Sequence, residues 1–127
     1  MKPGKQLTES TAHKAVEIRK TKLALPGPHG FELISAESIY YCKAEGNYTS
    51  IYFYQDQKVL ISRQLSHTVA RLKNQWFLRI HHSYMVNMRH ACRFIRKSPG
   101  QLVLTDGTVL PISKKYRNEV IQTLHFI

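Results

Sequence analysis

From residue 22 onward the chain is a succession of short apolar runs separated by turn-forming residues, which is the signature of strands rather than long helices. Lys22 to Leu25 and Phe31 to Ile34 flank Pro26-Gly27-Pro28-His29-Gly30, predicting a hairpin with a wide turn. Ile39 to Ala44 and Tyr48 to Tyr54 are separated by Glu45-Gly46-Asn47, and the second run is rich in aromatic and β-branched residues that suit a pleated surface. Gln55-Asp56-Gln57 then turns the chain into Val59 to Ile61.

At this point the period changes. Ile61, Leu65, Val69 and Leu72 recur at spacings of four, four and three, predicting one helix over Ser62 to Lys73. Period two returns with Trp76 to Ile80, Tyr84 to Val86, Cys92 to Arg96 and Gln101 to Leu104. Asp106-Gly107, between LVLT and TVLP, predicts a two-residue type I′ turn with positive φ at both positions. Ser113 is placed to cap a last helix, on which Tyr116, Val120 and Leu124 form an apolar stripe. There is no alternation of strand and helix, no internal repeat and no low-complexity segment. The expectation is a mainly β, antiparallel domain over residues 21–127, with one mid-chain helix and a C-terminal helix. Residues 1–20 are polar and read as a linker or leader, with one short helical turn expected over His13 to Lys20.

Charge sharpens the picture. Nineteen Lys and Arg stand against eight Asp and Glu, for a formal net charge of +11. Between Gln57 and Thr105 there is no acidic residue, while Lys58, Arg63, Arg71, Lys73, Arg79, Arg89, Arg93, Arg96 and Lys97 all fall there. Such uncompensated charge repels itself and favours a polyanionic partner that can release its own counterions. No apolar run approaches the roughly 20 residues of a membrane span, and the N-terminus lacks a signal-type apolar stretch, so a cytoplasmic protein without a membrane is expected. Cys42 and Cys92 have no metal-ligand or redox spacing, and their apolar neighbours predict two buried free thiols.

His81, His82, Ser83 and His90 raise the question of catalysis or a metal. No carboxylate lies near them in sequence to orient an imidazole, no zinc spacing is present, and no glycine-rich phosphate loop occurs. No enzyme activity, cofactor or metal is therefore expected. The run Phe77 to Asn87 has a different character, mixing apolar residues with Arg79, His81, His82, Ser83 and Asn87. Arginine matches the major-groove edge of guanine, and Ser and His contact phosphates or base edges. Asn87 is read instead as a turn residue that satisfies local backbone. The aromatics Tyr40, Tyr41, Tyr48, Tyr52, Phe53 and Tyr54 are expected to divide between core and surface.

These residues also carry a resemblance. FLRIHHSYMVNM (residues 77–88) resembles the FxRxHRSYxVN signature of the LytTR family of bacterial DNA-binding domains. IYYCKAEGNYT (39–49) is similar to that family's IxYIEAxGNYT segment, and LVLTDGTVLPIS (102–113) to its LxDGxxLPVS segment. The three matches occur in order and cover about Lys22 to Leu124. The resemblance implies an elongated arrangement of antiparallel sheets that meets successive major grooves of duplex promoter DNA through loops. The contact residues it implies are Asn47, Tyr48 and Thr49 in a first loop, Arg79, His81, His82 and Ser83 in a second, and Ser113, Lys114 and Lys115 in a third.

The chain departs from the family pattern at three positions: His82 and Lys114 stand where arginine is frequent, and Lys43 where glutamate is. The first two lose the rigid guanidinium fork. Arg63, Lys73, Arg93, Arg96 and Lys97 are candidates for sequence-independent phosphate contacts. Two molecules on repeated half-sites are expected, since one small domain reads few base pairs. The resemblance further implies a receiver domain or a sensor kinase elsewhere. The alternatives left open are a basic β module that stacks single-stranded nucleic acid on its aromatics, and one that binds an acidic protein or lipid surface.

Overall fold

A computed structural model describes residues 22–72 and 76–127. It contains ten strands: β1 (Lys22–Gly27), β2 (Gly30–Ser35), β3 (Tyr41–Glu45), β4 (Tyr48–Tyr52), β5 (Lys58–Ile61), β6 (Phe77–His81), β7 (Tyr84–Asn87), β8 (Ala91–Ile95), β9 (Gln101–Leu104) and β10 (Val109–Pro111). Among the described residues two α-helices accompany these strands, α1 (Leu65–Leu72) and α2 (Lys114–Gln122). Lys73 and the helical turn expected over His13 to Lys20 lie outside the described residues.

All three sheets are antiparallel. β1 and β2 pair in a unit that ends at Ala36, and Glu37–Ile127 form a second unit. In the first unit the pairing runs through Pro26↔Phe31 to Gly27↔Gly30, so the turn holds only Pro28 and His29 and is tighter than the expected wide loop. The second unit contains a five-stranded sheet of order β5-β4-β3-β7-β6 and a three-stranded sheet of order β10-β9-β8.

The five-stranded sheet is apolar on both faces, as strand alternation requires of a buried sheet. Tyr41 of β3 and Val86 of β7 lie opposite each other and join Ile80, Leu102, Leu104, Leu110, Ile112 and Val120 in one buried cluster. That cluster binds the five-stranded sheet to the three-stranded one and to α2. Tyr41 stacks on Tyr52 at 4.4 Å, and burial together with that neighbouring phenol drives its pKa well above the ordinary tyrosine range. The alternate positions Cys42, Ile51 and Met85 share the other face, and α1 packs across β3, β4, β6 and β7 with Leu65, Thr68 and Leu72 buried.

Several local expectations are corrected. Ile61 ends β5 as expected, but the helix begins at Leu65 rather than Ser62, because Ser62 to Gln64 bend the chain before it. Trp76 adopts φ 73°, outside β6, and is 64% exposed. Only Gly107, not Asp106, has positive φ, so the β9–β10 connection is not a type I′ turn. Its four residues, Thr105 to Thr108, are instead organised by the Asp106 carboxylate, which accepts from the amides of Thr108 (3.1 Å) and Gln55 (3.0 Å). Strand β4 stops at Tyr52, and Leu124 lies past the end of α2. Cys42 is buried and free as expected, with burial pushing its thiol pKa up to about 12, whereas Cys92 is free but exposed. Among the described residues β8 is an edge strand paired with β9, and its Cys92 and Arg93 are exposed.

Candidate nucleic-acid interface

The sheet topology gathers three connections at one end of the five-stranded sheet. Lys43 pairs with Tyr84, so the Gly46-Asn47 turn after β3 and the His82-Ser83 turn before β7 lie side by side. Thr49 pairs with Ile61, which brings Ser62 to Gln64 to the same end. Gly46 takes φ 65° in its turn, a conformation that a side chain would strain. Backbone bonds join the first two turns and bring a further segment beside them: Ala44 N–H donates to Ser83 O at 2.9 Å, and Ser113 N–H donates to Ile80 O at 2.9 Å. The second bond sets the start of α2 against β6.

Each expected contact residue has a definite place on this edge. Asn47 is exposed and its Oδ1 accepts from Gln64 Nε2 at 3.0 Å. Tyr48 is 47% exposed. Thr49 is different, with no exposure and its hydroxyl donating to Arg63 O at 2.7 Å. It supports the loop from beneath. Arg79 is half-buried, and its guanidinium is committed to the turn: Nε donates to His81 O at 2.8 Å and Nη2 to His82 O. His81 accepts the Ser83 amide on Nδ1 at 3.0 Å and packs its ring edge-on to Tyr84. His82 is exposed at the tip of the turn, with its carbonyl held by Arg79.

Ser113 occupies the N-cap position of α2 without making a side-chain cap bond, and its buried Oγ has no partner, which corrects the expected capping role. Lys114 and Lys115 are exposed on the first turn. Tyr116 lies between cations, with Arg79 at 5.9 Å and Lys115 at 5.4 Å from its ring centre. Arg63, Arg93, Arg96 and Lys97 are all exposed. Glu45 brings one carboxylate to the edge, accepting from the Ser50 hydroxyl at 3.2 Å.

Two residues of this edge were not anticipated from the sequence. Gln64 orients Asn47, and Arg117 donates from Nε to Pro99 O at 2.7 Å. Neither belongs to a motif. Asn87 accepts from the local Arg89 N–H, as read for it, and, wholly buried, also donates to Ile39 O, 48 positions away, each at 3.0 Å.

Of the histidines that raised the question of catalysis, His81 and His90 make contacts within the fold, whereas the His82 ring is exposed. His90 stacks on Tyr40 at 3.8 Å and its Nε2 donates to Glu37 O at 2.6 Å. Among the described residues no three His, Cys, Asp or Glu side chains are grouped to hold a metal. Nor is any helix among them long and apolar enough to cross a membrane.

The chain is 25% identical over 120 residues to the sensory transduction protein LytT of Bacillus subtilis (strain 168), covering 93% of this chain but 48% of that protein. It thus spans about half the length of that curated relative. A solved LytTr DNA-binding domain from Bacillus cereus shares the fold, with a TM-score of 0.70 at 19% identity over 84% of this chain and 98% of that one. The family model described as the LytTr DNA-binding domain matches residues 29–125, and the chain belongs to that family.

Proposed function

We propose that this domain recognises a specific duplex promoter sequence through three loops, Gly46 to Thr49, Arg79 to Ser83 and Ser113 to Lys115, at one end of its five-stranded sheet, and so regulates transcription. The observation that carries this reading is the pair of backbone bonds, Ala44 to Ser83 and Ser113 to Ile80, which hold the three loops in a fixed mutual relation. Loops that must read consecutive bases need such a frame, because ordering them at the moment of binding would cost affinity. Asn47, Tyr48, His82, Ser83, Lys114 and Lys115 make the outer contacts. Thr49, Arg79, His81 and Ser113 hold the loops that present them. Arg63, Lys73, Arg93, Arg96 and Lys97 supply phosphate attraction without sequence preference.

The wider reading is that residues 1–20 are a linker to the DNA-binding unit over 21–127, acting in the cytoplasm without cofactor or catalysis. Two copies sit on repeated half-sites, and control comes from a receiver domain or a sensor kinase. The test is selection from a pool of random duplexes followed by fluorescence-anisotropy titration of the enriched sequence against salt. A short, enriched site bound with Kd below about 10⁻⁷ M supports the reading. Weak, unselective binding that vanishes by about 200 mM salt overturns it and puts an acidic protein or lipid partner in its place. Preference for single strands over the matching duplex favours base stacking on the exposed aromatics instead.

A further inference from the structure

An open groove of about 630 Å³ lies beside the third loop. One wall is Arg96, Lys97, Ser98 and Pro99, from the connection between β8 and β9, and the other is Lys114, Arg117 and Asn118, from the first turns of α2. Four of these seven residues are cations and none is acidic. Like charges brought together by two separate elements repel, and the fold nonetheless fixes them. Arg117 Nε spends one donor on Pro99 O, bridging the walls at 2.7 Å. Ile112 N–H donates to Gly100 O at 3.0 Å. Gly100 takes φ 130° over the Phe94 ring, where a Cβ would come within 3.1 Å of Cζ.

We propose that this groove seats one particular phosphate of the DNA backbone while the loops meet the bases. The inference rests on the duplex-binding reading above. A phosphodiester offers one negative charge and two outward oxygens, which suits arginine and lysine donors converging from two walls. The first-turn amides of α2 add a favourable partial charge at the same place. The groove is open and no aromatic or branched aliphatic side chain lines it, so it lacks the apolar enclosure that would hold the base and sugar of a free nucleotide.

The test uses the full chain and a variant carrying Arg96→Gln and Lys97→Gln, two exposed positions. On the selected duplex the variant is expected to keep the site preference and to show a salt slope shallower by about one per cation removed. Duplexes carrying a single neutral methylphosphonate are then scanned along both strands. At one phosphate, or two adjacent ones, the substitution should weaken the parent protein several-fold and leave the variant unaffected. Equal sensitivity of both proteins at every phosphate, or an unchanged salt slope, overturns the proposal. Saturable amide shifts at Lys97 and Arg117 with pyrophosphate below about 1 mM, without any phosphate-specific coupling on DNA, overturn it in favour of a free phosphorylated ligand. If the parent protein shows no sequence preference, the promoter-binding reading fails by itself, and the slope comparison on any duplex still decides the groove.

Discussion

Arg79 is a cation whose planar fork is turned on its own chain. With Nε on the His81 carbonyl and Nη2 on the His82 carbonyl, it stiffens the turn that carries the exposed His82 imidazole. A lysine there keeps the charge but cannot bridge two carbonyls. Arg79→Lys is therefore expected to weaken binding to the selected duplex several-fold at an unchanged salt slope. A slope shallower by about one would make Arg79 a phosphate contact instead. His82→Ala and Asn47→Ala should reduce discrimination between sequences, while Arg96→Ala should weaken all duplexes about equally; anisotropy on matched and mismatched duplexes separates these outcomes. A uniform loss from all three would remove the loops from base reading. The residue types at this edge were legible in the sequence, but their division of labour was not. Thr49 could have been placed inward, since it shares a strand face with the apolar Ile51. Nothing local announced that the arginine of the second motif faces its own turn, because that depends on where the turn's carbonyls point.

At the scale of elements, the existence and type of the strands along the chain followed from hydrophobic alternation, and the misreadings collected at element ends, where long-range partners decide. The β9–β10 connection is an example. Asp-Gly is a type I′ signal when nothing else acts on it, but here the carboxylate is drawn into bonds with Thr108 and, across 51 positions of sequence, with Gln55. Partial burial pulls the Asp106 pKa up, and the hydrogen bonds from Thr108, Gln55 and its own amide outweigh it, leaving a net depression below 3.8. Those bonds add stability that is fully present above pH 3.8 and is lost as the pH falls through the depressed value. Asp106→Asn should thus be less stable than the parent near neutrality, with the gap in urea midpoint closing below about pH 4. A gap that is constant with pH would deny the carboxylate this role. Ser113 gives the converse case. A hydroxyl that caps a helix is worth about 0.5–2 kcal/mol, but this one is buried without a partner. Ser113→Ala should change the unfolding free energy by less than about 0.5 kcal/mol, or raise it. A loss of 1 kcal/mol or more in urea titration would show that the cap forms in solution.

Across the whole molecule one quantity acts in two opposed ways. A net charge of +11 on 127 residues destabilises the folded chain by self-repulsion and, by the same token, favours a polyanion. The four-cation groove and the exposed lysines of α2 concentrate that tension. Raising salt from about 0.05 to 0.5 M shortens the screening length several-fold and relieves the repulsion within the free protein. The same salt removes the entropic gain of counterion release from the complex. The melting temperature of the free chain is therefore expected to rise with salt. The additional stabilisation given by a fixed excess of selected duplex should shrink toward zero over the same range, as linkage between binding and folding requires. Differential scanning fluorimetry with and without duplex checks both curves in one experiment. If both rise together, the positive charge is not what holds the DNA, and the loops must bind it through neutral contacts alone. If the free chain instead loses stability with salt, its charges are already compensated within the fold and the argument from repulsion fails at its first step.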